Sequence, residues 1–92
     1  MRKINSDLVR ILPSTASIRA FEAAARHLSF TAAAAELDKT QGAISHQIRE
    51  LETRLGAPLF ERQARHIALT EAGATYLPFA REALECLRAK GK

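Results

Sequence analysis

Three histidines, His27, His46 and His66, and one cysteine, Cys86, are the side chains of this 92-residue chain best suited to metal or nucleophile chemistry. The histidines stand about twenty residues apart, with no carboxylate or thiol at metal-ligand spacing beside them. No Gly-rich phosphate loop and no nucleophile motif accompanies them. An enzyme, a metal centre or another cofactor is therefore not expected. Cys86 excludes an internal disulfide and fits a reducing compartment, where it serves as a small apolar residue on a helix. A different chemistry is concentrated in "TQGAISHQIRELETRLG", Thr40 to Gly56. Gln41, Gly42, Ser45, His46 and Gln47 make a polar, uncharged, hydrogen-bonding start to a segment whose Ile44, Ile48, Leu51 and Leu55 form a continuous apolar stripe. Stability alone would favour Ala, Glu and Lys at those positions. Gln, Ser and neutral His carry the donors and acceptors that match base edges in a DNA major groove: Gln suits adenine bidentately, and Ser or His suits guanine or thymine.

Fourteen basic against ten acidic residues give a net charge of +4, which suits a polyanionic partner without proving one. Hydrophobic residues make up 47% of the chain, with four Phe, one Tyr and no Trp. Alanine and leucine thus supply the apolar volume, which favours closely packed helices over sheets. The length allows one small domain with a modest core. No apolar run approaches the roughly 18 residues of a membrane span, and the basic start lacks the apolar segment of a secretion signal, so a soluble cytoplasmic protein is expected.

The elements that position the polar segment follow from periodicity and caps. Residues 1–12 form an N-terminal extension in which Ile4, Leu8 and Ile11 have helical spacing. After Pro13, "STASIRAFEAAARHLS" predicts a first helix capped by Ser14 or Thr15, with Ile18, Phe21, Ala25 and Leu28 on one face. Ser29 caps a short second helix that buries Phe30, Ala33, Ala34 and Leu37; its run of alanines lets another helix come close. Asp38 and Lys39 form a tight turn, Thr40 caps the third helix, and Gly56 ends it. "LFERQARHIALT" predicts a two-stranded hairpin tipped by Arg62, Gln63, Ala64 and Arg65. Thr70 caps a final helix to about Lys90, in which Leu77, Ala80, Leu84 and Leu87 form a heptad seam for a second copy and Pro78 should bend the axis near Ala74. The run Arg49, Glu50, Glu52, Arg54 is expected to be a solvated face.

A short helix, a three- or four-residue turn and a longer helix make a helix-turn-helix unit, whose second helix rests on the domain and offers its N-terminal residues to a major groove. Gly42 removes a side chain where the backbone approaches closely. A helical interaction module, with an incidental basic surface, is the competing class, because the heptad serves it equally well. Binding to random duplex DNA at low salt separates the two.

The same residues carry a family resemblance. "SFT" with the following "AA" and Leu37, then "TQGAISHQI", "LE", "LG" and "LF", and finally Arg62 and "LTEAG", resemble the DNA-binding module of the LysR-type transcriptional regulators across residues 13 to 90. The "LPS…RAFEAAARHLSF" opening and "YLP" are similar to the subgroup that regulates glycine cleavage and β-lactamase genes. The resemblance implies a mainly α winged helix-turn-helix over residues 13–69, with recognition helix 40–55 and wing 60–69, followed by a linker helix, 70–92, that forms a homodimer on promoter DNA. It places base reading at Gln41, Gly42, Ser45 and His46, with wing residue Arg65 in the minor groove. Phosphate contacts fall on Ser29, Thr31, Thr40, Arg49 and Arg62. The chain departs from the family pattern at Ala32, where Arg is common, at Lys39, usually apolar, at Gly42, usually Pro, Ser or Ala, and at Gln63-Ala64, which lack small turn residues. The family's C-terminal domain, which binds a small-molecule effector, has no counterpart in these residues, so a truncated regulator is expected.

Overall fold

The computed structural model describes residues 14–64 and 66–90, the last four of these in backbone only. The expectations for residues 1–13, for Arg65 and for the Leu87 side chain lie outside the described residues. Within them the order is α1 (Thr15–His27), α2 (Phe30–Leu37), α3 (Gln41–Leu55), β1 (Phe60–Arg62), β2 (Ile67–Leu69) and α4 (Glu71–Lys90).

Each helix begins where a hydroxyl satisfies a backbone N–H that has no partner inside the helix. Ser14 Oγ accepts from Ser17 N–H at 3.1 Å, Ser29 Oγ from Ala32 at 3.1 Å, Thr40 Oγ1 from Ala43 at 3.0 Å and Thr70 Oγ1 from Gly73 at 3.0 Å. The first three helices stop on residues in the left-handed region: Leu28 (φ 52°), Asp38 (φ 59°) and Gly56 (φ 78°). Only the last is the glycine that this conformation favours. Leu28, expected on the buried face of α1, is 46% exposed, because as the cap it has already left the helical path. The turn between α2 and α3 is closed by Lys39 N–H donating to Ala34 O at 2.9 Å.

Helix α1 is the centre of the molecule and packs against α2, α3 and α4. Ala20, Ala23, Ala24 and Ala25 of α1 and Ala33 and Ala34 of α2 are buried, so short methyl side chains set the spacing between these helices. Across them lie Ile44, Ile48 and Leu51 from α3, each no more than 1% exposed. Leu55, expected to extend this stripe, is 39% exposed, since it ends α3 beyond the reach of α1.

The hairpin is antiparallel, pairing Phe60 with Leu69, Glu61 with Ala68 and Arg62 with Ile67. Aromatic contacts tie it to the helices. Phe60 lies 5.6 Å from Phe21 and 5.5 Å, edge-on, from Phe30, while Tyr76 of α4 lies 5.6 Å from Phe21. Gly73 sits where α4 crosses the start of β1. A Cβ there would overlap the Leu59 carbonyl and come within 2.8 Å of Leu69 Cδ2. Helix α4 runs through Pro78 without ending. No helix among the described residues is long and apolar enough to cross a membrane.

The residues of the expected seam on α4 differ in exposure. Ala80 is 1% exposed within the single chain, and Leu77 packs against the same core, so both are used inside the module. Leu84 is half-buried beside Glu22, Arg26, Arg81 and Glu85. Among the described side chains of α4, the large apolar one that faces outward is Phe79, 62% exposed. Two of the four heptad positions, Leu77 and Ala80, therefore pack within the single chain.

Candidate nucleic-acid interface

Burying Ile44, Ile48 and Leu51 fixes which side of α3 faces outward. Gln41, Ser45 and Arg49, four residues apart, line one strip of that side, with Gly42 and His46 beside them. Gln41, Gly42, His46 and Arg49 are exposed and Ser45 is half-buried. His46 Nε2 lies 3.6 Å from Glu50 Oε2 across an open helical turn. Nothing lies within 4 Å of the position a Cβ would take on Gly42. Gln41, Gly42, His46 and Arg49 are thus left outside the core, whereas Gln47 turns inward and its Oε1 is buried.

Three elements meet at the same end. A polar cleft of about 210 Å³ is lined by Ser29, Phe30 and Thr31 at the start of α2, Gln41 at the start of α3, and Gln63, His66 and Ile67 from the hairpin. At the cleft, Thr31 Oγ1 donates to Gln41 Oε1 at 3.3 Å. The caps on Ser29 and Thr40 each use a hydroxyl lone pair and leave the proton free for a phosphate oxygen. Near the hairpin tip, Gln63 N–H donates to His66 O at 2.8 Å. Arg62, expected at the tip, instead ends β1. Its guanidinium sits 4.9 Å above the Phe30 ring and 3.9 Å from Glu52 Oε1.

Glu52 carries no distinguishing mark in the sequence. Expected on a solvated face, it turns inward, and its Oε2 accepts the Leu59 N–H at 2.8 Å. Its own carbonyl accepts from Gly56 at 2.8 Å and Ala57 at 3.2 Å. One side chain of the third helix therefore holds the chain leading into the wing. No spacing signal could separate it from its neighbour Glu50, which is exposed.

Two acidic residues away from this strip, Glu22 and Glu36, are occupied. Arg26 bonds Glu22 at 2.8 and 3.0 Å and Glu36 at 2.8 Å through each of two nitrogens, and His27 Nε2 is 2.7 Å from Glu36. The Arg26 guanidinium first, and His27 second, hold the Glu36 carboxyl down at about 2. Arg26 likewise lowers Glu22, and burial raises Tyr76. Arg49, in contrast, has no ion-pair partner among the described residues, which leaves its charge free for an anion. No group of three or more His, Cys, Asp or Glu gathers as a metal site among the described residues.

The sequence pattern of the family described as "Bacterial regulatory helix-turn-helix protein, lysR family" matches residues 15–74. The chain is 58% identical over 62 residues, 67% of its length, to the HTH-type transcriptional activator AmpR of Pseudomonas aeruginosa. It is 57% identical over 65 residues, 71% of its length, to the glycine cleavage system transcriptional activator of Escherichia coli K12. The aligned region spans only 21% of each of these curated relatives. Among solved structures, the CbnR_DBD-DNA complex is similar at a TM-score of 0.80 and 37% identity, covering 85% of this chain and 90% of that one. The BenM_DBD/catB site 1 DNA complex is similar at 0.79 and 32%, covering 84% and 86%.

Proposed function

This chain belongs to the lysR family of bacterial regulatory helix-turn-helix proteins, and from that premise we propose that it is the sequence-reading module of a bacterial transcription regulator. Helix α3 lies in the major groove and reads base edges through Gln41, Gly42, Ser45 and His46. The hairpin follows the adjacent minor groove, led by Arg65. Ser29, Thr40, Arg49 and Arg62 hold the phosphate backbone on either side, while the Thr31 hydroxyl, expected there too, is turned to Gln41.

One observation carries this reading: Gln41 at the start of α3, the start of α2 and the hairpin converge on one exposed cleft, while Ile44, Ile48 and Leu51 of α3 are consumed by the core. The solved relatives CbnR_DBD and BenM_DBD are DNA complexes, which supports the same assignment. Phosphate contacts supply most of the affinity and base contacts the selectivity.

The homodimer forms through α4, with the pairing face moved from Leu77 and Ala80 to Phe79. Phe79 and Leu55, both exposed, border an apolar groove of about 470 Å³ that also includes Ala72, Thr75 and Tyr76. Pairing sets two α3 helices about one DNA turn, ~34 Å, or a multiple apart, and so requires a roughly palindromic site.

Selection of bound duplexes from a random pool tests all of this at once. The expected result is an enriched pair of half-sites at fixed spacing. Failure to retain any duplex at low salt would refute DNA binding in favour of a protein-interaction module, and enrichment of a lone half-site would refute the dimer.

A further inference from the structure

Resting on the assignment of Gln41 as a base reader, we infer that Thr31 is a positioning residue that sets which base Gln41 selects. Thr31 is the second residue of α2 and Gln41 the first of α3, so a contact between them crosses the helix-turn-helix. Both helix starts are fixed independently, by Ser29 bonding Ala32 at 3.1 Å and Thr40 bonding Ala43 at 3.0 Å. The β-branched Thr31 side chain is stiff at χ1. Its hydroxyl has one proton, and an amide oxygen only accepts, so the 3.3 Å contact directs that proton to Gln41 Oε1.

Two consequences follow. The proton that Thr31 gives to Gln41 is no longer available to a phosphate, whose oxygens accept only. The Thr31 hydroxyl therefore acts on the base reader and not on the backbone, unlike the hydroxyls of Ser29 and Thr40. Second, Gln41 arrives at the groove with Oε1 turned toward Thr31, one of its two lone pairs engaged, and its amide N–H donors turned away from Thr31. A bidentate match to adenine needs one donor and one acceptor, at N7 and N6. With the oxygen end of the amide held at Thr31, the side chain leads with its donors, which fit the keto bases, guanine through O6 and N7 or thymine through O4. Holding the amide before DNA arrives also removes part of the ordering cost of a flexible glutamine.

The test compares wild type, Thr31→Val, Thr31→Ser and Gln41→Ala by selection from a random duplex pool, followed by titration of single-base variants. Gln41→Ala identifies the base pair concerned as the one whose preference disappears. At that pair the wild type is expected to prefer guanine or thymine. Thr31→Val frees Oε1 and shifts the ratio toward adenine by roughly 5- to 150-fold, the range of one bidentate contact. Thr31→Ser, which keeps the hydroxyl, retains the keto preference. Thermal melting checks that each variant folds, with Thr31→Ala as the substitute if Thr31→Val does not. An adenine preference in the wild type, or an unchanged ratio in Thr31→Val, overturns the inference. Uniform weakening on every sequence in Thr31→Val also overturns it, in favour of a phosphate contact. Loss of all base preference in the wild type itself would instead refute the proposed function, a result distinct from these.

Discussion

Replacing Glu52 with alanine tests the link between the third helix and the wing. The Glu52 carboxylate accepts the Leu59 N–H at 2.8 Å, and Leu59 is 1% exposed, so its amide has no easy access to water when that partner is removed. Leaving such a donor unsatisfied costs about 1–3 kcal/mol. The accompanying contact to Arg62, at 3.9 Å with side chains 16% and 41% exposed, adds at most about 1 kcal/mol. In a domain of this size each kcal/mol lowers the Tm by roughly 4–8 °C. Glu52→Ala should therefore melt roughly 5–25 °C below wild type in far-UV circular dichroism. Glu52→Gln keeps an acceptor for Leu59 and loses only the charge-assisted part of the bond, so it should melt between the two. DNA affinity measured well below the melting range should also fall in the alanine variant, because the hairpin is less firmly held. Equal melting of Glu52→Ala and wild type would show that the inward carboxylate contributes nothing.

The two glycines in helices should respond in opposite directions. Gly73→Ala forces a methyl against the Leu59 carbonyl and should lose about 1–3 kcal/mol, whereas Gly42→Ala meets nothing within 4 Å and should gain up to about 1 kcal/mol; urea titrations that order them otherwise contradict the packing. Arg62→Ala should weaken binding to all duplexes alike and flatten the log-log salt slope by about one unit, and an effect confined to the selected site would contradict a phosphate role. Phe79→Ser should shift the solution mass toward monomer, while an unchanged mass by light scattering excludes this face from the dimer. Glu36 is held at about 2, below its ordinary 4.5, so its contribution is present above about 4.5 and is lost as pH falls toward 2. Glu36→Gln should accordingly reduce the acid sensitivity of the Tm in that window, and parallel pH profiles would refute the pairing with Arg26.

Much of the architecture was legible because it depends on local rules. Ser14, Ser29, Thr40 and Thr70 cap helices where their hydroxyls precede apolar periodicity, and Gly56 ends α3 as the left-handed residue. Ile44, Ile48 and Leu51 are buried as their spacing requires. The errors arose where one pattern fits two partners. Leu77 and Ala80 repeat like a dimer seam and also pack into the core of the single chain. Leu28 and Leu55 keep the apolar period one residue past, or at, the point where the helix leaves its neighbour.

The 92 residues by themselves determined the order of helices, the hairpin and the uncharged hydrogen-bonding front of α3, since capping, periodicity and residue chemistry act over a few neighbouring positions. Tertiary structure alone decided that Glu52 holds the Leu59 amide, that Arg62 lies over Phe30, and that Thr31 reaches Gln41. Those contacts join residues seven to thirty-two positions apart, and only the packing of α1 against its three neighbours brings such distant side chains within bonding range.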